Sequence, residues 1–398
     1  MLIKVLLIPS SDYLGHPFPQ RHNQIFERLH DGKDFEVHVI RFNLFDKPKL
    51  KSRLVIHELN DVKIKPIAPY YLVNALTHVN EVHKIIRQEG IDVLVLSNLA
   101  VPFVYMLLDA VSSMRIPVIF DLPDYYPTSA TGYLLDSRNV LGKLAAGMFD
   151  SMLRYMMKRA TVVTVASHAL EEYAKRAGAH NVVCVPNGIA ECFLKLHDGK
   201  DLREKLDYEH EDLVVGYIGS VEFWLDMSSL LKGVALARKR RLPAKVLIVG
   251  RRLQTGYSEK VAKCIRQESL EKYTTWLDFV PHEEVPEYIA GLDVGTIPFD
   301  VSNPTAYYAA PNKMWEYLSQ LKPVISTPIP EVLSNSDCIL TALTANGYAH
   351  KLSLVAKKDD KVCQKIETGY SNALRRTWEK SAKQFASTVY ALLNQEGT

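Results

Sequence analysis

The sequence predicts an α/β protein built from two doubly wound parallel sheets, and three observations favour this fold class. Short apolar runs rich in β-branched residues, such as IKVLLIP and IDVLVLS, alternate with longer helical stretches such as VNEVHKIIRQEG. Fully apolar strands separated by helices indicate a parallel sheet covered on both faces. The pattern occurs twice, on either side of a charged, turn-rich stretch, and 398 residues exceed the size at which one core usually divides.

We therefore expect a first domain over residues 1–195 and a second over residues 196–377. Residues 378–398 read as a long amphipathic helix that packs back on the first domain. The predicted strands of the first domain are IKVLLIP, FEVHVIRF, IDVLVLS, IPVIFDL, ATVVTVAS and NVVCVPN. Those of the second domain are LVVGYIGS, AKVLIVG, TTWLDFV, LDVGTIPF, KPVISTP and SDCILTA.

Composition excludes several classes of protein. Charges nearly cancel, at a formal net charge of +3, and almost half of the residues are apolar, which argues against disorder and against a nucleic-acid-binding surface. The five cysteines include no C-x-x-C pair, which argues against a zinc site, a redox dithiol or a disulfide framework and favours a reducing cytoplasm. No apolar run reaches the ~18 to 20 residues that a membrane span needs, so any membrane contact is expected from the surface.

Ligands of doubly wound sheets bind beyond the carboxyl ends of the strands, and two facing sheets predict a site in the cleft between them. Gly219 and Ser220 form the first strand-to-helix turn of the second domain, where a backbone can approach a phosphate. The alternative is a tight turn that only needs a positive φ. Arg251 follows the next strand, as a phosphate ligand or as an ordinary surface arginine.

The stretch APNKMWEYLSQLKPVIST reads as a helix that begins near Pro311, which suits a first helical turn. The free N–H groups of Asn312 and Lys313, with the helix dipole and the lysine charge, predict an anion site. Glu316 lies one turn further along, where a carboxylate accepts hydrogen bonds from two adjacent ribose hydroxyls. The alternative is an ordinary first-turn glutamate that the dipole favours.

Three segments together resemble a known family in their order and spacing. They are ATVVTVASHALEEYAKRAGAHNVVCVPNGIAECF, TTWLDFVPHEEVPEYIAGLDVGTIPF and PNKMWEYLSQLKPVIST. Over nearly its whole length the chain resembles the GT-B nucleotide-sugar glycosyltransferases, especially family 4 and relatives built like bacterial polysaccharide glucuronosyltransferases. The resemblance implies two Rossmann-like domains that face a central cleft, and transfer of a sugar from a nucleotide-sugar donor to a hydroxyl of a glycan or lipid-linked acceptor. It also implies a base-contacting loop that includes Pro281.

By this resemblance, Glu316 is the second glutamate of the family's E-x(7)-E signature and holds the donor ribose. Tyr308 stands where the first glutamate would be, and a tyrosine cannot supply that carboxylate. The branch with P-x-K-x-x-E-Y often lacks the first glutamate, so inactivity does not follow, but the retaining or inverting outcome stays open. The family's Arg and Lys after the first turn of the second domain are also missing, so we assign phosphate neutralisation to Lys313, with Arg251 second.

The acceptor is expected on the first domain. Gly15 and His16 lie at the predicted cleft edge, and Arg21 lies at the start of the following helix. Asp121 and Asp124 end a strand in VIFDLPDYYPTSATGY, and either carboxylate can take the proton of the acceptor hydroxyl. The alternative for both is a helix or turn cap.

The chain contains no D-x-D triplet, so we expect transfer without a metal ion and without any cofactor. Cationic side chains and a helix amino terminus would then stabilise the leaving group. Two other classes stay open at this point, a nucleotide-sugar 2-epimerase and a nucleotide-sugar-binding subunit without catalysis.

Residues 139–160 mix Leu, Met and Phe with four cationic side chains. One interpretation is an interfacial helix that reaches a lipid-linked acceptor on the cytoplasmic face of a membrane. The other is that the methionines simply belong to the core.

Overall fold

The computed structural model describes residues 2–42, 44, 48–64, 67–97, 107–109, 111, 114–132, 139–252 and 256–396. The chain divides into two compact units, which we call unit 1 (Met1–Asn187 with Trp378–Thr398) and unit 2 (Gly188–Thr377). The division falls before the boundary expected at residue 195. Glu191–Leu194 forms a 3-10 helix that belongs to unit 2, where the Gln320 amide donates to the carbonyls of Phe193 and Lys195 at 3.1 and 2.9 Å.

Unit 1 contains a seven-stranded parallel sheet with the order β3-β2-β1-β4-β5-β6-β7. Its strands are β1 (Ile3–Ile8), β2 (Phe35–Arg41), β3 (Val55–Glu58), β4 (Val93–Ser97), β5 (Val118–Leu122), β6 (Val162–Val165) and β7 (Val182–Cys184). All residues of β4 and β5 are buried, as expected for central strands covered by helices on both faces.

The helices of unit 1 connect these strands. Among the described residues they are α1 (Arg21–Leu29), α2 (Ile67–Val73), α3 (Ala75–Glu89), α4 (Pro127–Gly132), α5 (Val140–Arg159), α6 (His168–Arg176) and, at the carboxyl end of the chain, α16 (Trp378–Glu396). The last helix packs on the first, with the Phe385 ring 5.0 Å from the Phe26 ring in an edge-to-face arrangement. No helix in the described part of the chain is long and apolar enough to span a membrane.

Unit 2 contains a six-stranded parallel sheet with the order β10-β9-β8-β11-β12-β13. Its strands are β8 (Leu213–Ile218), β9 (Ala244–Val249), β10 (Thr274–Leu277), β11 (Val294–Ile297), β12 (Val324–Ser326) and β13 (Leu340–Thr341). Its helices are α7 (Lys200–Lys205), α8 (Met227–Lys239), α9 (Tyr257–Gln267), α10 (Val285–Ala290), α11 (Pro304–Tyr307), α12 (Asn312–Ser319), α13 (Pro330–Leu333), α14 (Ala345–Ala356) and α15 (Asp360–Leu374).

The predicted fold class is confirmed, since each unit is a parallel sheet with the strand order of a doubly wound fold. The first strand of each unit lies inside its sheet, with β1 between β2 and β4 and β8 between β9 and β11. The turns that follow β1 and β8 therefore lie at the carboxyl edges of the sheets, where such folds bind their ligands.

Candidate active site

In unit 2, the turn after β8 brings the backbone at Gly219 into contact with the backbone at the end of β9. Gly219 has φ +141°, a backbone conformation that residues with a side chain rarely adopt. A Cβ atom on Gly250, at the end of β9, would lie 1.9 Å from the Gly219 carbonyl oxygen. The two strand ends therefore require glycine at both positions. Ser220 is exposed, and its carbonyl accepts a hydrogen bond from the Tyr217 hydroxyl at 2.7 Å.

The Lys313 ammonium lies against this turn. A Cβ atom on Gly219 would come within 2.7 Å of Nζ, which donates to the Tyr217 hydroxyl at 3.3 Å and lies 4.6 Å from the Tyr217 ring centroid. Burial lowers the pKa of Lys313 to about 8, and the charge of Glu316 opposes this shift. A cation beside a glycine turn at a sheet edge is suited to bind an anionic group.

The helix start next to this lysine carries further hydrogen-bonding groups. Pro311, with φ −70°, precedes the first helical residue, so the helix begins at Asn312 and its first N–H groups have no partner within the helix. The side-chain oxygen of Asn312 is buried and has no hydrogen-bond partner within the described residues. The free backbone N–H groups and the Lys313 ammonium are the donors at this helix terminus, as an anion site requires.

Glu316 lies one turn along the same helix and is half-buried. Burial raises the pKa of its carboxyl to about 7, and the charge of Lys313 opposes the rise. Nothing in the described part of the chain hydrogen-bonds to the carboxylate. Burial raises the pKa of the Cys192 thiol and the charge of Glu316 adds to this rise, so the 3-10 helix Glu191–Leu194 lies close to the carboxylate. The carboxylate is thus held near the cation with its acceptor positions available to a ligand.

The remaining residues predicted on the donor side lie on the surface of unit 2. Arg251 and Pro281 are exposed, after β9 and β10 respectively. Within the described residues, Arg251 makes no ion pair or hydrogen bond, whereas the neighbouring Arg252 guanidinium lies 4.5 Å above the Trp276 ring. Tyr308, predicted as a cleft residue, directly follows α11 and is half-buried, with its ring 5.1 Å from the Tyr307 ring.

In unit 1, a buried ion pair joins the start of α1 to β5. The Arg21 guanidinium donates from Nε to Asp121 Oδ2 at 3.1 Å and from Nη2 to Oδ1 at 3.0 Å. The Thr164 hydroxyl also donates to Oδ1, at 2.8 Å, and Arg21 Nη1 donates to Asn187 at 2.8 Å. Because both oxygens of Asp121 already accept hydrogen bonds and its side chain is 1% exposed, this carboxylate has little room for a substrate.

Asp124 has a different environment, although it lies only three residues beyond Asp121, just after β5. Its side chain is exposed, and the following Tyr125 is anchored by its hydroxyl, which donates to Asp150 at 2.8 Å. Desolvation by the surrounding protein raises the pKa of Asp124 to about 6, Arg21 opposes the rise and Asp121 adds to it. Solvent reaches the side chain, so the desolvation is partial. An accessible carboxylate of raised pKa is suited to accept a proton.

The loop after β1 and the first turn of α1 each contribute one histidine to the same edge of the sheet. His16 Nε2 lies 2.9 Å from the Ser11 hydroxyl and Nδ1 lies 3.2 Å from the Gln20 amide, while Gly15 is buried beside it. Burial lowers the pKa of His16. His22 is 3% exposed, its Nε2 has no partner within the described residues, and burial lowers its pKa to about 3.

His22 and Tyr217 are not among the residues predicted from the sequence. A histidine inside an amphipathic helix and a tyrosine inside a buried strand carry no motif that separates them from core residues. The signal that reveals each of them is a contact made through space, His22 with the charges of His16 and Asp121, and Tyr217 with Lys313.

Two family models match the chain, one over most of each unit. The family described as Glycosyltransferase Family 4 matches residues 24–191, and the family described as Glycosyl transferases group 1 matches residues 212–358. A search of curated proteins gave no significant match.

Several solved structures share the fold over nearly the whole chain. Sucrose-phosphate synthase from Thermosynechococcus elongatus matches with a TM-score of 0.77 and 15% identity, covering 99% of this chain and 100% of that one. HepE from Anabaena, in complex with UDP-glucose, matches with a TM-score of 0.72 and 16% identity, covering 98% and 100%. WaaG, a glycosyltransferase involved in lipopolysaccharide biosynthesis, matches with a TM-score of 0.66 and 12% identity, covering 97% and 99%.

At these identities the solved structures establish the fold, and the two family models establish the class of enzyme. The class predicted from the three sequence segments is confirmed. With one family model on each unit and this fold, the chain is a family 4-like glycosyltransferase of the GT-B fold.

Proposed function

We propose that unit 2 binds the nucleotide-sugar donor at the start of α12 and that unit 1 binds the acceptor beside Asp124. The observation that carries the donor assignment is the pairing of a cation, Lys313, with an available carboxylate, Glu316, one turn apart on one helix. The ammonium and the helix N–H groups suit a diphosphate, and the carboxylate suits two ribose hydroxyls. HepE has been solved with UDP and with UDP-glucose, so UDP is the first probe.

The same proposal assigns proton transfer to unit 1. As the acceptor hydroxyl oxygen attacks the anomeric carbon, its proton passes to the Asp124 carboxylate, and the bond to the nucleoside diphosphate breaks with its electron pair. Lys313 and the helix N–H groups stabilise the charge on the departing diphosphate. We propose Asp124 over Asp121 because Arg21 and Thr164 occupy both oxygens of Asp121. The acceptor is a hydroxyl of a glycan or of a lipid-linked sugar.

The Asp124→Asn variant tests this assignment. We expect kcat for sugar transfer to fall by at least about 100-fold, the low end for a general base, with the dissociation constant of UDP unchanged. Asp121→Asn is the comparison variant. It removes one partner of a buried ion pair and should lower the free energy of unfolding by about 3–5 kcal/mol, measured by denaturant titration. Asp124→Asn with near-wild-type transfer would show that Asp124 is not the base.

The two shifted groups on α12 predict a pH optimum for donor binding. Below about pH 7 Glu316 becomes protonated and cannot accept from ribose, and above about pH 8 Lys313 loses the charge that attracts diphosphate. Calorimetry of UDP binding from about pH 6 to about pH 9 should therefore give the highest affinity between the two pKa values. In Glu316→Gln the affinity should be lower and the loss on the acid side should disappear. An unchanged acid side in this variant would contradict the role of Glu316.

We also propose that transfer needs no metal ion, because Lys313 and the amino terminus of α12 supply the positive charge that faces the leaving group. Transfer should continue at an undiminished rate after treatment of the enzyme with a chelator. Activity that disappears with chelator and returns with magnesium or manganese would refute metal-free transfer. The control is a chelator-treated sample whose thermal unfolding is measured in parallel, since unfolding would also abolish activity.

Helix α5 supports a peripheral membrane contact in the proposed function. Val140, Leu141, Leu144 and Met148 are 73%, 66%, 67% and 57% exposed, and their spacing puts them on one helical face. Leu153, Met156 and Met157 are buried, so the carboxyl half of the helix belongs to the core. An exposed apolar face on a cationic helix suits the interface of an anionic membrane. We propose the cytoplasmic face, and the five free cysteines are compatible with a reducing compartment.

Flotation with vesicles that contain anionic lipid tests this contact. We expect the wild-type protein to float, and Leu141→Gln/Leu144→Gln to lose at least about tenfold in vesicle affinity, since each Leu buries apolar side chain in the interface. The matched control is Leu333→Gln, which alters a leucine that is 52% exposed in unit 2. If wild type stays with the soluble fraction, or if the control loses as much affinity, α5 does not bind the membrane.

A further inference from the structure

A cluster of metal-ligand side chains lies at the edge of the unit 1 sheet. His38 is on β2 and His57 is on the edge strand β3, and the strand register puts both side chains on one face of the sheet. Glu89 is the last residue of α3. One ligand atom from each of the three residues lies within 4.8 Å of the other two. A sheet edge and a helix end thus bring together two imidazoles and a carboxylate.

The two imidazoles are hydrogen-bonded to each other. His38 Nδ1 lies 2.9 Å from His57 Nε2, and the ring planes differ by only 13°. His38 Nε2 lies 3.1 Å from Glu36 Oε1, and Lys4 Nζ lies 3.1 Å from the same carboxylate oxygen. Because an ionised carboxylate only accepts, the hydrogen of His38 is on Nε2, and its Nδ1 lone pair faces His57.

This arrangement matches the surroundings of metal-bound histidines. A histidine that binds a metal ion through one nitrogen commonly donates from the other to a carboxylate, which fixes its tautomer and orientation. Glu36 does this for His38, whose side chain is 2% exposed. His57 and Glu89 are half-buried, so an ion and a water ligand have access from their side.

We propose that His38 Nδ1, His57 Nε2 and the Glu89 carboxylate bind one divalent transition-metal ion of the zinc class. Two imidazoles and one carboxylate, with water in the fourth position, form a ligand set that Zn²⁺ accepts and that Mg²⁺ and Ca²⁺ do not favour. The ion replaces the hydrogen between the two rings. His57 then carries its hydrogen on Nδ1, so both imidazoles stay neutral and no net proton is released.

The geometry needs a small adjustment. Two nitrogens bound to Zn²⁺ at about 2.0–2.1 Å in a tetrahedral arrangement lie about 3.3 Å apart. The distance of 2.9 Å between the two rings must therefore widen slightly, and both lone pairs must turn toward one point. A rotation of the half-buried His57 side chain achieves both, whereas His38 is held by Glu36.

The site is separate from the proposed reaction. Glu89 precedes the start of β4, and His38 lies at the middle of β2, whereas Asp124 and His16 follow the carboxyl ends of their strands. The ion would tie the edge strand β3 to the end of α3, which is a structural role. His38, His57 and Glu89 belong to no C-x-x-C pair and to no D-x-D triplet, so no sequence motif marks this cluster.

Cobalt(II) is the probe, used with the full chain after its metal has been removed. Visible absorption and equilibrium dialysis should show one Co²⁺ per chain. His57→Gln and Glu89→Gln should weaken binding at least about tenfold, and Glu36→Gln by about 10- to 100-fold through loss of orientation. Zn²⁺ should raise the unfolding temperature of the wild type and not that of His57→Gln.

The matched control uses a second cluster, His168, Glu171 and Cys184, whose ligand atoms also lie within 4.8 Å of one another. His168 is exposed there, and the Glu171 carboxylate already accepts from Lys175 at 2.6 Å. We expect His168→Asn to bind Co²⁺ as the wild type does. No binding by the wild type, unchanged binding in His57→Gln and Glu89→Gln, or binding lost only in His168→Asn would each overturn the proposal.

Discussion

The buried ion pair of Arg21 and Asp121 is the interaction on which the unit 1 site depends. Taking both charges out of water is costly, and the geometry compensates with two guanidinium hydrogen bonds and a third from Thr164. The pair fixes the start of α1 relative to β5, and so it fixes the loops that carry His16 and Asp124. It also saturates Asp121 and moderates the pKa of Asp124. Asp121 therefore has a structural role, and the neighbouring Asp124 carboxylate stays available to accept a proton.

In unit 2, by contrast, the two charged groups of the candidate site are not saturated by hydrogen bonds from the described part of the protein. Lys313 and Glu316 are half-buried. Burial lowers the pKa of Lys313 and raises that of Glu316, and both shifts favour the neutral form of the group. Neither group has the saturated environment of Asp121. Lys313 packs beside the Tyr217 ring, and Glu316 keeps its acceptor positions available. Groups that are held in place but poorly solvated gain favourable interactions when a ligand of complementary charge and hydrogen-bonding groups binds. In this sense the binding site is preorganised.

The sequence predicted the parts that depend on local pattern. Buried parallel strands are continuous apolar runs, and a proline before Asn312, Lys313 and Glu316 identifies a helix start, so fold class and donor-side candidates followed directly. Asp121 and Asp124 looked equivalent because their difference lies in Arg21, 100 positions away, and in Thr164. The division at Asn187 and the cluster of His38, His57 and Glu89 likewise depend on contacts between segments distant in sequence. No local pattern encodes these contacts.

The position of α16 has a consequence for how the chain is made. Unit 2 is one continuous segment, whereas unit 1 is assembled from the first part of the chain and from its last helix, where Phe385 contacts Phe26. During synthesis, unit 2 can close its core while unit 1 still lacks the helix that covers α1. Domains generally fold as units as they emerge, so the unit that begins first would be the one that finishes last. Until α16 leaves the ribosome, the side of α1 that contacts Phe385 stays uncovered.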